Sequence, residues 1–124
     1  MIKRPSKKEL FNKIREAKEV VLDGRIEIVD AVSLAADAIE LGYDITTELQ
    51  VILDKLLNDI SADHYTGLRP PQKSYETAIQ KLELFAFVVE SEMLENNVYL
   101  KFALSGGALW LVSFHKDRPF KKGE

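Results

Sequence analysis

Between Val98 and Lys116 the chain reads as two runs of alternating side chains around Ser105-Gly106-Gly107, and no other feature limits its fold as tightly. Period-two alternation puts successive side chains on opposite faces of a strand, and a glycine pair between two such runs marks a hairpin. In the first run Val98, Leu100, Phe102 and Leu104 share a face, against Tyr99, Lys101 and Ala103. In the second, Ala108, Trp110, Val112 and Phe114 oppose Leu109, Leu111, Ser113 and His115. A two-residue Gly106-Gly107 turn pairs Ser105 with Ala108 and mixes polar with apolar on both faces. A three-residue loop, Ser105-Gly106-Gly107, pairs Leu104 with Ala108 and Val98 with Phe114. It gathers Val98, Leu100, Phe102, Trp110, Val112 and Phe114 on a core face and Tyr99, Lys101, Ser113 and His115 on the other. A one-residue slip sends every side chain to the wrong face, so burial selects the three-residue loop as the expectation. Glycine also suits the left-handed position in such loops.

Upstream the period changes to that of helices. Ser6 and Glu9 form a capping-box pattern ahead of Leu10, Ile14, Ala17 and Val21, and Asp23-Gly24 supplies a stop. A second helix is expected over about Ile28 to Leu41, with Ile28, Val32, Ala35 and Ile39 as its buried stripe and Gly42 as its end. Asp44 or a following Thr caps a third, striped by Leu49, Ile52, Leu56 and Ile60. Residues 61–76 have no apolar period, and Gly67 and Pro70-Pro71 bar regular structure through their middle. Loops of this length are either functional or disordered, and the His and Tyr content favours an ordered one. Thr77 to Leu82 can start a helix, yet Leu84 to Val89 is rich in strand formers, so a strand is expected over about 82–93, with a turn at Glu95-Asn96-Asn97. Helices first and a meander after give an α+β fold: three N-terminal helices packed on a C-terminal antiparallel β-meander, in one domain over residues 1–124.

Charge is segregated. Residues 1–25 carry +4, residues 26–63 carry −8, residues 64–95 carry −2 and residues 96–124 carry +3, within a net charge of −3. Ends brought together would make a basic face on an acidic protein; the alternative is that these are solvated faces of amphipathic elements. The absence of cysteine removes thiol chemistry and thiolate metal sites. No signal peptide pattern precedes residue 10, and the longest apolar run, Leu84 to Val89, is far too short for a membrane span. A cytoplasmic protein is expected.

Zinc spacings, phosphate-cradling glycine loops, dinucleotide fingerprints and nucleophile elbows are all missing, so no metal or cofactor is expected. What the hairpin offers instead is Tyr99, Lys101, Ser113 and His115 on one surface, followed by Lys116 and Arg118. Such a mix suits RNA cleavage by internal 2′-hydroxyl attack. A base takes the 2′ proton, an acid protonates the leaving 5′ oxygen, and cations hold the phosphate. Histidine is the side-chain type best suited to carry that proton near neutrality, and Arg and Lys hold phosphate. The bland alternatives are a half-buried sheet tyrosine and idle surface histidines at His64 and His115.

Val98-Tyr99-Leu100-Lys101 and Leu111-Val112-Ser113-Phe114 resemble the C-terminal strands of the MqsR family of toxins. Ala38-Ile39-Glu40-Leu41-Gly42-Tyr43-Asp44 is similar to the end of that family's second helix, and Val51-Ile52 with Leu56 to its third. The resemblance implies a RelE-like fold and metal-free, sequence-selective cleavage of single-stranded mRNA, neutralised by a partner antitoxin. It implies catalytic roles for Tyr99, for His115 at the position of a family Lys, and for Lys73 of the Lys73-Ser74 pair. Gln80 is a loosely placed match for the family's active-site Gln. Lys101, Lys116, Arg118, Arg69 and His64 are the candidate RNA-phosphate contacts. The rival expectation is a non-catalytic interaction module on the same fold, motivated by the acidic stretch 26–63.

Overall fold

The computed structural model describes residues 4–117. The element order is α1 (Lys7–Leu22), β1 (Ile26–Ile28), α2 (Ala31–Leu41), α3 (Ile45–Asp59), β2 (Phe85–Ser91), β3 (Asn96–Ser105) and β4 (Ala108–Lys116). The four strands form one sheet in the order β1-β4-β3-β2, so the fold is α+β.

Local chemistry explains each helix boundary. The Ser6 hydroxyl accepts the Glu9 N–H at 3.1 Å, while the Glu9 carboxylate turns away to Arg4, so only half of the expected capping box forms. Asp30 caps α2 by accepting the Ser33 N–H at 3.0 Å, and Gly42 at φ +80° closes that helix in the left-handed region. Asp44 caps α3 through the N–H groups of Thr46 and Thr47. The stripes of α1 (Leu10, Ile14, Ala17, Val21) and α3 (Leu49, Ile52, Leu56, Ile60) are buried as their spacing predicts.

Three expectations are corrected. First, α2 begins at Ala31, because residues 26–28 form β1, which pairs in parallel with Leu109–Leu111 of β4. The sheet is therefore neither wholly C-terminal nor wholly antiparallel. Three residues carry too little periodicity to announce a strand.

Second, α2 buries Leu34, Ala38 and Leu41, whereas Val32 and Ile39 are 83% and 82% exposed. This helix is apolar on two faces, and the start at Ala31 fixes which one meets the sheet.

Third, the hairpin turns through Gly106 and Gly107 alone, pairing Ser105 with Ala108. Both glycines have positive φ, +62° and +73°, as a tight two-residue turn matched to strand twist requires. The pairing then shifts by one residue: Phe102 faces Leu111, but Lys101 faces Ser113, and Val112 is the extra residue of a bulge. Near the turn Leu109 and Leu111 enter the core in place of Trp110 and Val112; beyond the bulge Phe114 rejoins it. The expected register treated one face as the sole sink for apolar groups. The protein uses both.

The main core lies between the sheet and the helices, where Phe85, Phe87, Phe102 and Phe114 meet Leu53, Leu56 and Leu57 with almost no exposure. A second, smaller core covers the turn-proximal half of the opposite face, where Ile79 and Leu84 pack on Ala103 with Trp110 and Val112 alongside. The Trp110 indole N–H is satisfied by the Ser105 carbonyl at 3.3 Å. The segment 61–76 is ordered over the outer edge of β2: Tyr65 bridges Phe87, and the Thr66 N–H donates to the Ala86 carbonyl at 2.9 Å. An otherwise open sheet edge is thereby covered. Among the described residues no helix is long and apolar enough to cross a membrane.

Candidate functional site

The smaller core leaves the other half of its sheet face open, and that half carries Tyr99, Lys101, Ser113 and His115. The bulge at Val112 is what puts them there. It restores the phase of β4, so the four share one face despite the corrected register, with Tyr99 directly opposite His115 and Lys101 opposite Ser113. The Tyr99 and His115 rings stack, centroids 5.1 Å apart and planes 10° from parallel.

Two hollows meet on this surface. A cleft of about 520 Å³ lies between the first half of α2 and β4, and its walls include His115, Ser113, Lys101, Asp30, Asp37 and Glu76. A smaller hollow of about 250 Å³ lies between β3 and the loop, bounded by Tyr99, Lys101, Gln72, Thr66 and Leu68. Lys101 borders both, so among the described residues it is the cation common to the two hollows. The acids on the α2 side repel a phosphate from that wall and confine an anion to the Lys101 side.

Hydrogen bonding fixes how His115 can act. Its Nδ1 lies 2.8 Å from the Lys116 carbonyl oxygen. A carbonyl only accepts, so Nδ1 carries the proton and the neutral ring presents Nε2 as a bare acceptor. Burial pushes the Tyr99 phenol above its ordinary value; a phenol is a protonated O–H donor at neutral pH with or without that shift.

No family model matches the chain, and no curated protein matches it.

The other candidates from sequence fall in different places. Lys116 follows His115 and so alternates to the face of Val98, its pairing partner, at the exposed end of β4. Lys73 is exposed and bridges Glu83 through the backbone, beside Gln72 but outside the residues bounding either hollow. His64 caps its own turn, its Nδ1 accepting the Ser61 N–H at 2.9 Å. Arg69 donates to the Pro5 carbonyl and lies over the Tyr65 ring at 5.0 Å, pinning the loop. Arg118 lies outside the described residues.

Gln80 follows a short 3-10 turn and borders neither hollow, whereas Gln72 sits with Tyr99 and Lys101. The Leu84 N–H donates to the Gln72 carbonyl at 2.7 Å, which anchors Gln72 beside the sheet. Sequence reasoning missed Gln72 and Glu76 because an irregular loop carries no period from which to project a side chain onto a distant strand.

Proposed function

We propose that this protein is a toxin-like endoribonuclease of the MqsR kind, with a RelE-like fold, that cleaves single-stranded RNA through the Tyr99/Lys101/His115 surface and is held in check by a protein antitoxin. The observation that carries the reading is the stacked Tyr99–His115 pair, a bare imidazole acceptor beside a phenol that retains its proton. His115 Nε2 removes the proton from a ribose 2′-hydroxyl, whose oxygen attacks the adjacent phosphorus. The bond from phosphorus to the 5′ oxygen breaks, and the Tyr99 hydroxyl donates its proton to that oxygen. Lys101, common to both hollows, stabilises the charge on the phosphorane. The products are a 2′,3′-cyclic phosphate and a 5′-hydroxyl, with the proton returned from His115 to Tyr99 through solvent. Gln72 is placed to hydrogen-bond the substrate on the Tyr99 side.

The test is incubation of purified protein with a single-stranded RNA pool in the presence of EDTA, followed by end-group analysis. Fragments with cyclic phosphate and 5′-hydroxyl ends are expected; RNA left intact at high protein concentration sinks the proposal.

The interaction-module reading gains a specific observation in the apolar outer face of α2, where Val32 and Ile39 stand in solvent. That face belongs to the helix whose first half walls the cleft at His115.

A further inference from the structure

Among the described residues, two apolar surfaces that stand uncovered are opposite in charge. The first is a groove of about 480 Å³ along α1, floored by Phe11, Ile14, Ile60 and Ala62. Phe11 is 63% exposed, and Lys8, Arg15 and Lys18 stand around it. The second is the outer stripe of α2, Val32 and Ile39 with Ala35 between them, all exposed. Glu40 adjoins it in sequence, Asp30 caps the helix just before it, and no Lys or Arg occurs between Arg25 and Lys55.

A helix that is apolar on both faces is normally covered on both. The sheet covers only the face of Leu34, Ala38 and Leu41. The dimensions match as well. Val32 and Ile39 are two turns apart, about 10 Å along the axis, and α1 between Lys7 and Lys18 is about 16 Å long. An amphipathic helix laid into an apolar groove, with opposite charges at the rims, is a recurrent mode of recognition.

We propose that the α1 groove of one molecule takes the α2 outer stripe of a second copy of this chain. The two surfaces are different patches, so the contact is head-to-tail and the pair as a whole keeps one groove and one stripe for further neighbours. Growth is therefore expected to continue with concentration unless the rotation closes a ring. The rim charges make the association weaker as salt rises. The α1 groove lies apart from the proposed cleavage surface, since α1 packs on the core face of the sheet while Tyr99 and His115 lie on the other; α2, which carries the stripe, also walls the cleft at His115.

Sedimentation equilibrium on three forms of the full chain tests it. At low salt the average mass of the wild type is expected to rise from 14.1 kDa to at least twice that value with increasing concentration, and to fall back in high salt. Phe11→Asp, which spoils the groove, and the double variant Val32→Lys/Ile39→Lys, which spoils the stripe, are each expected to stay monomeric. Mixed together, they retain one groove and one stripe between them and are expected to form a 1:1 dimer and nothing larger. All these positions are exposed, and circular dichroism of each variant checks that it folds. A wild type that stays at 14.1 kDa throughout overturns the proposal, as does a mixture that fails to pair. A monomeric wild type whose binding to a single-stranded RNA oligonucleotide is lost on Phe11→Asp overturns it too, and assigns the groove to nucleic acid.

Discussion

Tyr99 and His115 face one another across β3 and β4 with ring centroids 5.1 Å apart and planes 10° from parallel. The contact exists because a bulge at Val112 returns β4 to phase after a two-residue turn, so the pair depends on backbone geometry elsewhere in the hairpin. Each ring limits access to one side of the other. Burial is what lifts the Tyr99 phenol above its ordinary value near 10. Removing the imidazole with His115→Ala exposes that side. The tyrosinate absorbance attributed to Tyr99, taken as the difference from a Tyr99→Phe control, is then expected to appear at lower pH than in the wild type. An unchanged titration would mean that the stacking does not shield the phenol.

Tyr43 tests the core in a different way. It is 8% exposed and packs against Phe114 with centroids 5.5 Å apart, and among the described residues no group hydrogen-bonds its hydroxyl. A buried hydroxyl without a partner costs its desolvation, about 1–3 kcal/mol. Tyr43→Phe is therefore expected to be neutral or to stabilise by up to about 1 kcal/mol at pH 7 in urea unfolding. Burial, and secondarily the charge of Asp37, raises the phenol's pKa in the folded state. The folded chain thus keeps a proton that the unfolded chain releases near pH 10, so stability falls as pH rises beyond that value. The Phe variant is expected to lose part of that alkaline decline; a steeper one would contradict the assignment.

The turn makes a sharper claim about single residues. Gly106 and Gly107 both hold positive φ, and a Cβ at Gly106 meets nothing within 4 Å, so any penalty there is conformational rather than steric. Gly106→Val is expected to cost about 1–2 kcal/mol, whereas Gly106→Asn, which tolerates the left-handed region, is expected to cost well under half as much. Equal losses for the two in thermal unfolding would argue against the two-residue turn.

At the N-terminus the Arg4 guanidinium joins Glu9 of α1 to Glu83 ahead of β2. The hydrogen bonds from Arg4 are the main cause holding the Glu9 carboxyl below its usual range. A carboxylate with a depressed folded-state pKa contributes stability above its unfolded value, about 4.3, and that contribution disappears as pH falls through the folded value. Glu9→Gln is expected to flatten the loss of urea stability below about pH 4. An acid limb identical to the wild type's would show that the pair contributes nothing.

How much of this was legible in the residues depends on how many neighbours each period had. The stripes of α1 and α3 repeat over four turns and face one core, and their buried sets follow directly from spacing. The stripe of α2 was readable but doubly so: Ile28, Val32, Ala35 and Ile39 repeat as well as Leu34, Ala38 and Leu41. Only the presence of β1 at Ile26–Ile28, invisible at three residues, decides between them. The hairpin itself was evident, yet its register was not. The smaller core over Ala103, Trp110 and Val112 comes from Ile79 and Leu84, which lie upstream of β2 at the end of an irregular segment. The Tyr99/Lys101/Ser113/His115 face was nonetheless anticipated, because the bulge displaces the pairing by a further residue and the expected and observed registers agree in parity there. The contribution of Gln72 and Glu76 was out of reach, since their positions depend on how the 61–76 loop lies along β2.

The most direct measurement is the rate of RNA cleavage by His115→Ala and Tyr99→Phe against the wild type, on a single-stranded oligonucleotide in EDTA, with folding checked for each variant. Loss of a positioned general base or acid is expected to slow cleavage by about 10²–10⁴-fold. Both variants are expected to fall in that range, with cyclic-phosphate ends on whatever product remains. Wild-type rates in either properly folded variant, or a wild type that leaves the oligonucleotide whole, would contradict a catalytic role for the stacked pair.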